Sequence, residues 1–492
     1  VDFLTKDFII RHNLKQEAFM GFKDNREFVA ALQKTKDAVV VQTEVDWDLE
    51  AGAITRRICE TGGPAPLFER IKDYPSGYRI FGAPLASYRR LSIAMGMKPD
   101  SSVKEIQEIY EQRMEYPIKP KLVKDGPCKE NIRRGKDVDL FQFPVPLVHE
   151  GDGGRYIGTW HLNINKDPDS DWTNWGMYRM MIHNHTDMAG FFATHQHQGL
   201  IYFRKYQPKG LPMPFAIAIG ADPLSSLAAG TAFKKSENES DFAGALAQEP
   251  IELIKCETND LLAPAHSEII LEGEVLPGTN IPEGPFGEYP GYRFPERRSS
   301  PIFRVNCITY RNDPIMTLSC VGFPTDDSHV SVSIGAAVAF KRSLKQRGVP
   351  VTQVNWPTEG VEHLMVVGIE KRDDATVDLI EQMVLGSRTP ICVTMIVDAD
   401  VDVFNMKEVI HAFLTKCHPI RGVRRHESFW TLSPYLSHDE WLANRGARLI
   451  LDCTWPSSWK KETSIPPRAS FADMYPKDVK DLVLRKWKEY GF

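Results

Sequence analysis

The sequence is short of the features that mark several large protein classes. It has no basic surplus: 60 lysines and arginines stand against 65 aspartates and glutamates, a formal net charge of −5. Nucleic-acid binders normally carry an excess of positive charge, so no nucleic-acid partner is expected. It has no long apolar run. Its least charged stretch, Leu211 to Phe233, still holds Asp222, three prolines and two glycines, whereas a bilayer-crossing helix needs about 20 mostly apolar residues. No membrane partner is expected. The first residues, VDFLTKDFIIRHNLKQEAF, include acids and lack the apolar centre of a secretory signal. A cytoplasmic location is expected, with organelle import left open by a faint amphipathic character. None of the eight cysteines forms a CxxC pair. Their scatter over a large chain points to reduced thiols buried as small core residues. GxGxxG, GxxxxGK[ST] and HExxH are all missing, which argues against a Rossmann dehydrogenase, a P-loop NTPase and a zincin protease. The segment GDGGRYIG at Gly151 lacks the dinucleotide-loop spacing and stands before a strand, not a helix. There is no internal repeat and no low-complexity tract.

What is present describes an ordinary globular chain. With 492 residues, two or three domains are expected, and 42% hydrophobic with 25% charged residues suffices for sizeable cores. Asp24 and Glu27 suggest a capping box ahead of the helix FVAALQKTK. AVVVQTEVD reads as a strand and Ser102 to Glu115 as a helix. The middle of the chain is richer in strands: YIGTWHLNIN, NWGMYRMMIHN, PFAIAIGA, SEIILEGEVL and IFRVNCITY, with one helix near Glu239 to Ala247. Phe303, Val305 and Cys307 alternate with Arg304 and Asn306, the period of a half-buried strand. Many strands between Gly/Pro turns suggest a barrel or sandwich. After Pro324, HLMVVGIE, ATVDLIEQMVLG and ICVTMIVDADVDVF read as strand, helix, strand, a βαβ unit that implies a parallel sheet. The C-terminal DVKDLVLRKWKEYGF is amphipathic, with Val479, Leu482, Val483 and Trp487 on one face, suited to its own domain or to a second subunit. The expected fold is α/β (α+β), divided at residues 1–130, 131–323 and 324–492.

Three groups of residues could carry chemistry. His183, His185, His195 and His197 form two HxH pairs, and such a pair on a strand turns both rings to one face, where they suit a metal. Structural or surface histidines are the competing reading. In PEGPFGEYPGY, Glu283 and Glu288 flank a Gly-Pro-Phe-Gly turn. Apolar neighbours would raise a carboxyl pKa there and make a proton donor usable near neutral pH; two solvated acids on a tight turn are the alternative. In NWGMYR, Asn174 and Arg179 share one short strand-like segment. A guanidinium fork anchors a carboxylate through two parallel hydrogen bonds, although an ordinary salt bridge is the commoner use.

Together these segments resemble the UbiD family of decarboxylases, and most of all its ferulic acid decarboxylase branch. The likeness runs through LEAGAITRRICE, GPCKENI, FPVPLVHEGDGGRYIGTW, DWTNWGMYRMMIH, IELIKCETNDLLAPAHSEIILEGEV and EGPFGEYPGY, in that order. The resemblance implies an N-terminal α/β domain, a central split β-barrel that binds flavin, and a C-terminal α/β domain that favours a homodimer. It implies prenylated FMN as cofactor, supplied through a flavin prenyltransferase, with Mn²⁺ or Mg²⁺ and often K⁺. The metal ligands fall on Asn174, His197 and Glu239. Hard oxygens with one imidazole suit such a cation, which would bridge the protein to the flavin phosphate. Cofactor contacts extend over Trp175, Gly176, Met177, Tyr178, Arg179 and Gln196. The catalytic Arg–Glu–Glu set falls on Arg179, Glu283 and Glu288: Arg179, held by Glu283, orients the substrate carboxylate, and Glu288 donates the proton that replaces CO₂. The implied reaction is reversible, non-oxidative decarboxylation of an α,β-unsaturated or (hetero)aromatic acid through a cycloadduct with the cofactor, which supplies the electron sink. Gly386 stands where the branch has a cofactor-contacting lysine, with Arg388 close by as its replacement. Gln196, Tyr289, Val332, Trp430 and Leu432 are expected to wall the substrate pocket, and the larger aromatic residues leave benzoic, phenolic and heteroaromatic acids open as substrates. An FMN oxidoreductase on a split-barrel site, or a flavin-binding protein without turnover, are the competing readings.

Overall fold

The computed structural model describes residues 21–492, except 232, 295–296, 372, 388, 430–434, 437–438, 441–442, 444 and 461. Arg388, Trp430 and Leu432 therefore lie outside the described residues. No described helix is long and apolar enough to cross a membrane. All eight cysteines are free, seven of them buried and Cys417 half-buried.

The chain is a mixed α/β structure with several sheets. Near its start, the Asp24 carboxylate caps the helix Asn25–Lys34 by accepting from Glu27 N at 2.8 Å. The Glu27 side chain reaches Lys23 N, not Asp24 N, so the capping box is incomplete. Ser102 and Glu105 complete one ahead of the helix Val103–Arg113. A first sheet is ordered Ala38–Val41, Ala65–Phe68, Arg79–Gly82 and Ile315–Leu318. Its last strand comes from far along the chain and pairs parallel to Arg79–Gly82.

The central sheet has nine strands. It runs Tyr156–Gly158, Met180–Ile182, Asp187–Gly190, Arg298–Tyr310, Ile269–Glu283, Met213–Ile219, His161–Lys166 and Thr173–Gly176, with Asn131–Arg134 added beside Arg298–Tyr310. Every pairing within it is antiparallel. Its two ends are joined by very little chain. Residues 177–179 alone separate Thr173–Gly176, at one end, from Met180–Ile182, near the other. Three residues span at most about 10 Å, so the ends lie side by side and the sheet curls into a half-barrel. Bulges at Glu272/Gly273 and Val275/Asn280 help the long strands to bend. The interior fills with Met180, Phe215, Ile217, Phe303 and Val305, all 2% exposed or less.

NWGMYR thus does not form one strand. The ladder ends at Gly176, and Arg179 sits on the crossing segment. The HxH expectation also changes: His183 and His185 occupy the turn after Met180–Ile182, and His197 opens the helix His197–Ile201. In both places the strand ends before the first histidine of the pair, at Ile182 and at Gly190, and the chain turns there.

The C-terminal sheet is ordered Val351–Asn355, Leu364–Ile369, Val393–Asp398, Arg445–Cys453 and Val423–Phe429. Its three middle strands are parallel, and the helix Ala375–Gly386 is the crossover between the first two, as the βαβ pattern requires. The strand at Val393 stops at Asp398, where Asp398, Asp400 and Asp402 lead into a turn. The helix Asp327–Gln346 joins the units. It gives Val330, Ile334 and Val338 to the core shared with Phe28, Phe81 and Trp175, and Ala337, Phe340 and Leu344 to the core beneath the C-terminal sheet. The amphipathic helix Lys477–Arg485 leaves Val479 and Leu482 exposed, and Trp487 follows it, also exposed.

Candidate active site

The open side of the half-barrel faces a cavity of about 650 Å³, within the range of ligand and cofactor pockets. Its wall runs through Asn174 to Arg179, the loop ending in His195, Gln196 and His197, Glu239, Phe286, Glu288 and Tyr289, and the start of the Asp327–Gln346 helix. The expected cofactor-contacting residues Asn174, Trp175, Gly176, Met177, Tyr178, Arg179, Gln196, His197 and Glu239 all line it, as do the expected pocket residues Tyr289 and Val332.

Arg179, Glu283 and Glu288 meet at one wall. Arg179 donates from Nε to Glu283 Oε1 at 2.7 Å and from Nη2 to Oε2 at 2.8 Å, the fork geometry of a guanidinium on a carboxylate. Its remaining nitrogen, Nη1, pairs with Glu288 Oε1. Glu283 is fully buried behind Arg179, whereas Glu288 faces the cavity. The rings of Phe191 and Phe286 hold the guanidinium, their centroids 4.6 and 4.9 Å from Cζ. The plane of Arg179 is therefore fixed before any ligand arrives.

Two supports of this arrangement were not singled out from the sequence. Tyr156 donates its hydroxyl to Glu283 Oε1 at 2.8 Å. Burial, and then the Glu283 charge, push the phenol pKa far above its usual value, so the hydroxyl stays a donor. The GDGG segment, which is no phosphate loop, clasps the acid turn. Gly153 N donates to Pro285 O at 2.7 Å, and Gly287 N donates to Asp152 Oδ1 at 3.1 Å. A Cβ at Gly153 would stand 2.0 Å from the Gly284 carbonyl oxygen. Only glycine permits that approach. Gly153→Ala should displace the Glu283–Glu288 turn and lower kcat by about 100-fold, the usual effect of a misplacement near 1 Å; a steady-state assay beside a circular-dichroism spectrum checks this.

Tyr289, next to Glu288, is tied to the long helix. His329 Nε2 donates to Tyr289 O at 2.8 Å, and His329 Nδ1 lies 3.0 Å from Asp326 Oδ1. Burial alone would push the imidazole pKa down, but the Asp326 charge and hydrogen bond outweigh it and hold it above the ordinary histidine value.

At the other end of Met177–Tyr178 the side chains change in kind. Glu239 is 1% exposed; its Oε2 accepts from Trp175 N at 2.8 Å and its Oε1 lies 3.9 Å from His197 Nδ1. It has no lysine or arginine partner among the described residues. Burial pushes its pKa up to about 8. Burial, and then the nearby Lys235, lower the pKa of His197, which favours the neutral, ligating imidazole. Asn174 is also buried and lines the same space. A buried carboxylate without a cation, a neutral imidazole and an amide oxygen fit a hard divalent ion. Among the described residues no group of three His, Cys, Asp or Glu side chains could hold a metal ion. Buried polar atoms without partners, His161 Nδ1 and Ser331 Oγ, belong to residues that also line the cavity, and they suit a polar ring system.

Three family descriptions match in register: the 3-octaprenyl-4-hydroxybenzoate carboxy-lyase N-terminal domain at residues 29–110, its Rift-related domain at 121–324 and its C-terminal domain at 331–453. The chain belongs to the UbiD family. Pyrrole-2-carboxylic acid decarboxylase of Pseudomonas aeruginosa is 34% identical over 95% of this chain and 98% of its own. Ferulic acid decarboxylase 1 of Candida dubliniensis is 29% identical over 94% of this chain and 98% of its own. Among solved structures, vanillic acid decarboxylase of Sedimentibacter hydroxybenzoicus in closed form superposes with a TM-score of 0.86 at 27% identity, covering 95% of this chain and 99% of that one. An evolved dimeric form of the UbiD-class enzyme HmfF from Pelotomaculum thermopropionicum, in complex with prFMN, gives 0.76 at 27% identity, covering 90% and 97%. The three matched stretches follow one another along this UbiD-family chain.

Proposed function

We propose that this UbiD-family protein is a carboxy-lyase that removes CO₂, reversibly and without oxidation, from an α,β-unsaturated, aromatic or heteroaromatic carboxylic acid. The observation that carries this reading is the Arg179–Glu283–Glu288 set on the wall of a cavity large enough for a flavin and a small acid. Prenylated FMN, when bound, supplies the electron sink that loss of CO₂ from an sp² carbon otherwise lacks. Asn174, His197 and Glu239 would hold a divalent cation and, through it, the cofactor phosphate. Trp175 to Tyr178, which line the cavity, would help to hold the cofactor. Arg179 orients the substrate carboxylate through Nη1, because Nε and Nη2 are already committed to Glu283. An arriving carboxylate thus displaces Glu288 from the guanidinium, and Glu288, carrying a proton, faces the reacting carbon. The Glu288 proton goes to the carbon that loses CO₂, taking the place of the carboxylate there, and solvent then reprotonates Glu288. The exposed apolar face at Val479, Leu482 and Trp487 suits a second copy of the chain.

The test is CO₂ release from a panel of cinnamic, benzoic, phenolic and heteroaromatic acids by protein co-expressed with a flavin prenyltransferase. Release from at least one acid is expected, and failure with all of them would overturn the reading. His197→Ala should lose most of the flavin absorbance and the bound metal, measured on purified protein by spectrum and metal analysis. Undiminished colour and metal would remove His197 from the ligand set.

A further inference from the structure

The mechanism above leaves one buried carboxylate on the cavity wall without a task. Glu362 is 8% exposed and lines the cavity beside Ser328, Ser331 and Val332. Ser328 Oγ donates to its Oε1 at 2.6 Å. Its Oε2 accepts no hydrogen bond from any described residue. A carboxylate so placed is short of a donor, and burial raises its pKa accordingly, against the lowering effect of the His329 charge.

The backbone that presents Glu362 is unusual. Val361 and Glu362 both have left-handed conformations, with φ of 45° and 63°. Two such residues in succession, one of them β-branched, are unfavourable unless the surroundings impose them. The surroundings do impose them. The Trp356 indole, 2% exposed, donates to Glu362 O at 2.9 Å, and His363 N donates to Gly360 O at 2.7 Å. The turn is also joined to the catalytic wall, because the His363 ring stands edge-on to Tyr289 at 5.6 Å and His329 donates to the Tyr289 carbonyl.

We infer that Glu362 is a specificity-determining residue, whose free oxygen accepts a hydrogen bond from an N–H or O–H on the ring of the substrate acid. This rests on the decarboxylase reading and narrows its substrate class. The preferred acids carry a ring donor, as pyrroles and phenols do, and cinnamic and benzoic acids without one are poor substrates. Binding an acid that lacks the donor closes this cavity-facing oxygen off from water and leaves it unpaired, and sites of that kind reject such analogues strongly.

The experiment compares nearly isosteric pairs on the cofactor-loaded enzyme: pyrrole-2-carboxylate against furan-2-carboxylate, and 4-hydroxybenzoate against benzoate. For at least one pair the donor-bearing acid should have a kcat/KM about 100-fold higher or more. Glu362→Gln keeps the size and the Ser328 contact but offers an amide N–H to the ring, so it should lower that preference at least about tenfold, towards furan. The same pairs are titrated into wild type and variant loaded with unmodified FMN, which reports binding without turnover. Equal handling of both members of each pair by the wild type, or an unchanged preference in a Glu362→Gln variant of normal spectrum and melting temperature, would overturn the assignment. If no acid releases CO₂ the decarboxylase reading fails, and the titrations still decide for or against Glu362.

Discussion

Glu288→Gln should lower CO₂ release by roughly 10²- to 10⁴-fold, the range for loss of a positioned acid or base. The substitution is nearly isosteric, and its carbonyl oxygen keeps a partner for Arg179 Nη1, so the geometry of the pair with Glu283 is preserved. Only the transferable proton is lost. The proposed metal and cofactor ligands Asn174, His197 and Glu239 are left intact, so flavin absorbance should be unchanged. Hydrogen–deuterium exchange at the product carbon in D₂O should fall with turnover, because in the reverse direction the same oxygen removes that proton. Full turnover in this variant would exclude Glu288 as the proton donor and return the FMN oxidoreductase reading to consideration.

Arg179→Ala has two consequences that separate cleanly. It removes Nη1, the guanidinium nitrogen proposed to orient the substrate carboxylate, and the loss of such a preorganised charge should lower kcat by roughly 10²- to 10³-fold. It also leaves Glu283, fully buried, with the Tyr156 hydroxyl but no cation. Breaking one side of a buried ion pair costs about 3–5 kcal/mol. Urea unfolding of the variant should show that loss in the midpoint of the transition that includes the central sheet. The double variant Arg179→Ala, Glu283→Leu removes the stranded charge. It should regain most of the stability and none of the activity. Activity returning with stability would make the pair a structural element alone.

Much of the fold was legible because its signals are local. Alternation in Phe303, Val305 and Cys307, the crossover pattern around Ala375–Gly386 and the helix that begins after Ser102 each depend on neighbours a few positions away. The association of Ile315–Leu318 with the first sheet is not local: its partner strand lies more than 200 residues earlier, and an apolar run does not name its partner. The site divides in the same way. Arg179, Glu283 and Glu288 stand out because acids and a guanidinium sit among glycines, prolines and aromatics, where solvation gives them no reason to be. Tyr156 and Gly153 look like ordinary strand and turn residues, and the hydrogen bond from Tyr156 spans 127 positions. A signal for Gly153 was present all the same: GDGG next to a strand is more glycine than a turn requires. His183 and His185 misled because spacing alone does not say whether a pair lies on a strand or on the turn that follows it.

The three-residue crossing between the ends of the central sheet also acts as a ruler. Asn174 and Arg179 sit on the same short stretch of backbone, so the cation-seeking end of the cavity and its proton-transfer end keep a constant separation. Tyr289, Val332 and Glu362 belong to other segments and are under no such restraint. Exchange of side chains at those positions leaves the distance from Asn174, the proposed anchor, to the guanidinium untouched. One invariant reaction frame can therefore serve a succession of differently shaped acids, and selection can retune the diet of the enzyme without rebuilding its engine.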